Sequence, residues 1–105
     1  MDNQHQHIKG YRDLSQDEID LMNEIKEKGA ELLAVQAKVS LHLATQHGIK
    51  NEAAGYPRGA YPDTPEGYEF ARFESAEPHR WAAIAKTDIQ TGIMALVRAV
   101  AQPSI

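Results

Sequence analysis

The sequence predicts an all-α chain: two long antiparallel helices, with a short third helix in their connector, assembled as a symmetric homo-oligomer. Three observations lead there. Apolar residues recur every three or four positions along two long runs. Helix start and stop signals bracket both runs. Proline, glycine and aromatic residues crowd into the stretch between them.

The first helix begins at Ser15. Ser15 and Glu18 form an S-x-x-E capping box, and Asp17 adds negative charge near the positive end of the helix dipole. Beyond it Met22, Ile25, Gly29, Leu32, Val39 and Leu43 fall three or four apart, with Gln36 interrupting the series. Leu21, Leu33 and Val35 widen the stripe. No proline precedes Pro57, and Gly48 offers a stop, so the helix is predicted over 15–46. That is about 30 residues, or roughly 45 Å at 1.5 Å per residue. Gly29 costs about 1 kcal/mol against alanine in a helix interior, so close approach of another segment or a ligand is its expected justification.

The last helix is predicted over 78–102, with Ser75 as its cap and Pro78 in its first turn. Trp81, Ile84, Ile89, Ile93, Leu96, Val97 and Val100 give it a wide apolar face. Arg98 complements the C-terminal dipole, and Pro103 ends the pattern. The connector, 47–77, follows the end of the first helix. Residues 46 to 78 hold four of the seven glycines, four of the five prolines and five of the seven aromatics. Its short helix starts where Thr64 can cap and Pro65 can take the first position. Residues 1–14 form an N-terminal segment, and 1–105 is expected to be one domain. Two long helices and a connector cannot cover both apolar faces in a monomer, so packing against copies of the same chain is expected.

Composition removes several functions. A net charge of −4 disfavours a binder of long nucleic acid that relies on a broad positive field. The absence of cysteine removes disulfides, thiolate metal sites and a cysteine nucleophile. No apolar run is long enough for a membrane span, and "MDNQHQHIKG" lacks the regions of a signal peptide, so an intracellular, soluble chain is expected. His5 and His7 stand two apart, and His42 and His47 lie near the end of the first helix, but no H-E-x-x-H motif joins them; no metal or cofactor is expected. Neither a G-x-S-x-G elbow nor a phosphate-binding P-loop is present, and the adjacent His79 and Arg80 diverge on a helix, so no enzyme is expected.

Tyr11, Lys9, Arg12, Lys26 and Lys28 remain. A tyrosine ring can stack on a nucleobase, and lysine and arginine meet phosphates through charge-assisted hydrogen bonds. Lys26 is roughly 16 Å along the helix from Ser15, so Tyr11 would meet a Lys26 more easily across an antiparallel dimer than within its own chain. By spacing alone the plain alternative stays open, with Tyr11 as a staple near the helix start and the lysines as surface charge. Glu24 and Lys28 have the favourable i, i+4 order for a helical ion pair.

"QHIKGYRDLSQDEIDLMNEIKEKGAEL" and "RWAAIAKTDIQTGIMALVRAVAQP" together resemble the bacteriophage anti-CBASS cyclic-oligonucleotide sponges, small phage proteins that bind the signalling nucleotides of bacterial CBASS immunity. The two blocks cover about half the chain; the intervening region does not share the likeness and is richer in aromatics. The resemblance implies a helical homohexamer that traps cyclic dinucleotides such as 3′,3′-cGAMP in pockets shared by two protomers. It implies a base-stacking role for Tyr11 in "KGYRDL" and a phosphate contact for Lys26 in "NEIKEKG". It also implies separate three-fold pockets for cyclic trinucleotides, where Arg80 in "HRW" faces phosphates. The chain departs from the family at Lys28, where a small hydroxyl residue is expected. Tyr56, Tyr61, Tyr68, Phe70 and Phe73 are connector aromatics able to reach a pocket.

The function expected is therefore sequestration: capture of an immune messenger without cleavage, in the cytoplasm of the infected bacterial host. Two rivals make other demands. A phosphodiesterase needs a general base or metal centre, and a helical adaptor needs a protein partner at the aromatic connector.

Overall fold

The computed structural model describes residues 12–55 and 63–104. Among them every regular element is a helix: α1 (Gln16–Ala54), α2 (Pro65–Ser75) and α3 (Pro78–Ala101). The start of α1 is fixed by a reciprocal cap. The Ser15 N–H donates to Glu18 Oε1 at 2.9 Å, and the Glu18 N–H donates to Ser15 Oγ at 3.2 Å.

The far end of α1 corrects the sequence expectation. The helix does not stop at Gln46 but runs through Gly48 to Ala54. A mid-helix glycine costs only about 1 kcal/mol, too little to end a helix whose following residues continue it. The stop falls at Gly55, which adopts φ +66 and donates to Glu52 O at 3.0 Å. Ser75 is likewise the last residue of α2 and not a cap for α3. The chain turns through Ala76 and Glu77, the latter at φ 51, and α3 begins at Pro78. Thr64 caps α2, accepting from the Gly67 N–H at 3.0 Å, with Pro65 in the first turn.

The chain divides into two compact units: the described parts of Met1–Leu33 and Thr87–Ile105, and those of Ala34–Lys86. In the first, α1 and α3 meet at Gly29. A Cβ there would lie 2.5 Å from Ile93 Cδ1 and 2.7 Å from Ile93 Cγ1. The expected close approach is thus made by Ile93 of the same chain.

In the second unit α2 is held by Phe70 and Phe73, only 4% and 5% exposed. The His47 ring meets Phe70 edge-on at 5.5 Å and lies 5.9 Å from His79, while its Nε2 is 3.1 Å from Glu74 Oε1. Gln36, the polar interruption in the α1 stripe, donates to Ser40 Oγ and to the Ala82 carbonyl, both at 3.0 Å. It therefore links α1 to α3 where an apolar residue would only pack.

The packed face of α1 follows most of the expected stripe: Met22, Ile25, Gln36 and Leu43 are half-buried and Gly29 is buried, joined by Leu33, whereas Leu32, Val35 and Val39 are exposed. Among the described residues only Ala54, Phe70 and Phe73 are buried hydrophobics. No described helix is long and apolar enough to cross a membrane.

Candidate functional site

The first half of α1 carries two of the six predicted site residues, Lys26 and Lys28. Lys26 and Lys28 are two positions apart, which is about 200° of rotation on a helix, so they cannot share a face. Lys26 is exposed and makes no ion pair among the described residues. Lys28 stands on the other flank of the packed face and pairs with Glu31 at 3.5 Å, rather than with the Glu24 that spacing suggested.

Lys28 also lines a groove of about 490 Å³ in this unit. Its walls are Ile25, Gly29, Leu32, Ile89, Gly92, Ile93 and Leu96, with Glu24 as the second charged member. The groove is apolar because Ile25, Leu32, Ile89, Ile93 and Leu96 supply its side chains, and Gly29 lets Ile93 approach α1. Asp17, Asp20, Glu24 and Glu27 form an acidic hollow along another face of α1. An anion is repelled from that hollow, and Lys28 is close to it in helical rotation. The Lys26 flank is therefore the more favourable of the two for a phosphate.

Arg12 is placed differently from the sequence reading. Its Nε donates to Ala101 O at 3.1 Å and its Nη2 to Val100 O at 2.8 Å, in the last turn of α3. Nη1 donates to Glu18 Oε1 at 3.3 Å and to Asp13 O at 3.5 Å, and Nη2 bonds Glu18 Oε2 as well. Hydrogen bonding from Arg12, then from the Ser15 N–H, holds the Glu18 carboxyl down to about 2, and the same bond raises Arg12. Sequence spacing gave no sign of this, since Val100 is 88 residues away. The capping motif flagged Glu18 but not its second role.

Arg80 belongs to the other unit. It pairs with Glu77 at 3.2 Å, and its guanidinium carbon sits 5.3 Å from the centroid of the exposed Trp81 ring. Of the connector aromatics, Phe70 and Phe73 are core residues and so are not available to a ligand. Tyr68 is exposed and donates its hydroxyl proton to Asp63. Tyr11, Lys9, Tyr56 and Tyr61 lie outside the described residues, as do His5 and His7. Among the described residues no group of three or more histidine or acidic side chains is placed to hold a metal ion.

The sequence pattern of the family described as Acb2/Tad1, hairpin domain, matches residues 3–101. The chain belongs to that family. Its Acb2/Tad1 hairpin takes in α1, α2 and α3 together. Within the Acb2/Tad1 likeness, a curated relative named Anti-CBASS protein 2, from Pseudomonas phage JBD67, is 59% identical over 105 residues. The alignment covers 98% of this chain and 97% of that protein. The chain therefore spans the Acb2/Tad1 relative nearly end to end, connector included.

Proposed function

We propose that this protein is a phage anti-CBASS sponge that binds cyclic oligonucleotide messengers and holds them without cleavage. The ligands are cyclic dinucleotides of the 3′,3′-cGAMP kind and, at separate sites, cyclic trinucleotides. The setting is the cytoplasm of the infected host, where capture lowers the free messenger below what a CBASS effector needs. The observation that carries this reading is the 59% identity, over nearly the whole length, to a protein named for opposing CBASS.

The site geometry supports it. Lys26 offers an exposed cation on the flank away from the acidic hollow, and Tyr11 supplies the stacking ring. Arg80 is the cation proposed for the trinucleotide site, while Lys28 stands where the family carries a small hydroxyl residue. Opposite flanks for Lys26 and Lys28 fit two ligand sites better than one. A ligand with two or three phosphates needs few cations, so a chain of net charge −4 can host it.

The single-domain protomer, its antiparallel helices and the homohexamer are part of the same proposal. Within each unit the contacts pair rising with falling residue numbers: Arg12 with Val100 and Gly29 with Ile93, then Gln36 with Ala82 and His47 with His79. That order supports antiparallel α1 and α3. Among the described residues ten large apolar side chains from Leu21 to Leu96 are exposed, which supports association with further copies.

Capture and release tests the reading. Purified protein is incubated with cyclic di- and trinucleotides, filtered free of unbound ligand and denatured, and the released material is identified by chromatography. Intact nucleotide in fixed ratio to protein is expected. Cleaved nucleotide would make the protein a phosphodiesterase, and no retention would favour a protein-binding adaptor. Tyr11→Ala should lose about 1–3 kcal/mol of dinucleotide binding by removing the stack. Lys26→Ala should weaken binding by removing a phosphate contact.

A further inference from the structure

We propose that Gln36 is a positioning residue for Arg80. Its amide fixes where the first turns of α3 stand on α1, and so where the Arg80 guanidinium stands, without touching a ligand itself. The inference rests on the reading of Arg80 as the trinucleotide cation. All three residues concerned, Gln36, Arg80 and Ala82, belong to the same compact unit.

Gln36 is the member of the α1 series that burial alone does not explain. It is half-buried, and an apolar side chain there would continue the stripe and remove more apolar surface from water. The amide instead uses both N–H groups of Nε2. One donates to Ser40 Oγ, a turn further along α1, and the other to the Ala82 carbonyl of α3, each at 3.0 Å. The Ser40 bond braces the side chain on its own helix, so the Ala82 bond ties α3 to a fixed point on α1. The Ala82 carbonyl lies inside α3, where an intrahelical N–H takes one lone pair and leaves the other for the amide. Apolar packing is non-directional, whereas a hydrogen bond is lost within a few tenths of an ångström of its limit. A single polar residue in an apolar seam fixes the register of paired helices at a cost in stability.

Arg80 stands two residues before Ala82, about 3 Å along the same helix. Its guanidinium is held by near neighbours: Glu77 at 3.2 Å and the Trp81 ring, 5.3 Å from guanidinium carbon to centroid. These contacts orient the group on α3 but leave the placing of α3 to other elements. Ring contacts from His47 and Phe73 to His79, at 5.9 and 6.1 Å, bear on the same turn. Aromatic contacts keep their strength over a range of separations, so the Gln36 bond is the stiffer restraint. A slip of one residue step, about 1.5 Å of rise and 100° of rotation, would turn Arg80 to another face.

The test is a double-mutant cycle read by calorimetric titration with cyclic triadenylate, with ligand-free thermal unfolding of each variant alongside. Gln36→Leu, Arg80→Ala and the pair are compared. Gln36→Leu leaves no orphan, because the Ala82 carbonyl keeps its intrahelical bond, so the melting temperature should hold or rise. Binding should nevertheless weaken at least fivefold with Arg80 in place, and less than twofold in the Arg80→Ala background. Affinity lost with stability kept is a split that a purely structural role does not produce. Unchanged binding in Gln36→Leu overturns the inference. Effects that multiply overturn it too, since Gln36 would then act by a route other than Arg80. The proposed dinucleotide cation, Lys26, lies in the other unit, so 3′,3′-cGAMP should bind Gln36→Leu within twofold of the parent. An equal loss for both ligands would show general damage and sink the proposal. Gln36→Met keeps the length without the amide and gives the same readings should Gln36→Leu not fold. If the parent does not bind cyclic triadenylate, or Arg80→Ala leaves that binding unchanged, the trinucleotide reading itself fails and takes this inference with it, a result distinct from multiplying effects.

Discussion

Alanine at positions 29 and 48 should move stability in opposite directions, although both glycines lie inside α1. At Gly48 nothing lies within 4 Å of an added Cβ, so Gly48→Ala should stabilise by roughly 0.5–1 kcal/mol and raise the melting temperature. At Gly29 the same methyl meets both Cδ1 and Cγ1 of Ile93 at under 3 Å. Relief requires Ile93 to change χ1, which a β-branched side chain on a helix resists. Overpacking of this kind costs about 1–3 kcal/mol, which outweighs the propensity gain, so Gly29→Ala should lower the melting temperature. Spacing alone flagged Gly29 as a close approach, because its cost in a helix interior demanded a reason. It could not name Ile93. It also took Gly48 for a stop, since what separates the two positions is a neighbour that only folding supplies.

The elements differ in how they respond to acid and to truncation. Glu18 ties the start of α1 to Arg12. Glu69 on α2 bonds Arg72 first and Lys50 of α1 second, and it too is held down to about 2. Carboxyls with depressed folded values stabilise the fold above their ordinary value near 4.5 and lose that contribution as pH falls toward about 2. Thermal unfolding followed across that window should show a falling melting temperature, with a shallower slope in Glu18→Gln and Glu69→Gln. Phe73→Ala should cost about 3–5 kcal/mol by emptying a buried ring site. Hydrogen exchange should show lost protection over Pro65–Ser75 while the first half of α1 keeps its own. The existence of α2 was readable from Thr64 and Pro65, which carry their cap chemistry locally. Its burial was not, because nothing local marks Phe70 and Phe73 as inward while Tyr68 stays exposed.

Among the described residues, ten large apolar side chains stand exposed, more than a free monomer readily keeps in water. Solution mass by light scattering should be a multiple of the 11.7 kDa chain, and Leu96→Glu, in the apolar groove, should shift it downward. The all-helical class was legible because helix periodicity and caps repeat over many residues, whereas the clamp on Arg12 was not, because its partners are the two ends of the chain. That separation has a consequence for synthesis. Val100 leaves the ribosome 88 residues after Arg12, several seconds later at about 5–20 residues per second. Until then Arg12 has its local partner Glu18 but not the carbonyls it will finally hold. The growing chain therefore cannot close the clamp on Arg12, and a product terminated before Val100 never can. Closure of the clamp waits for the last turn of α3.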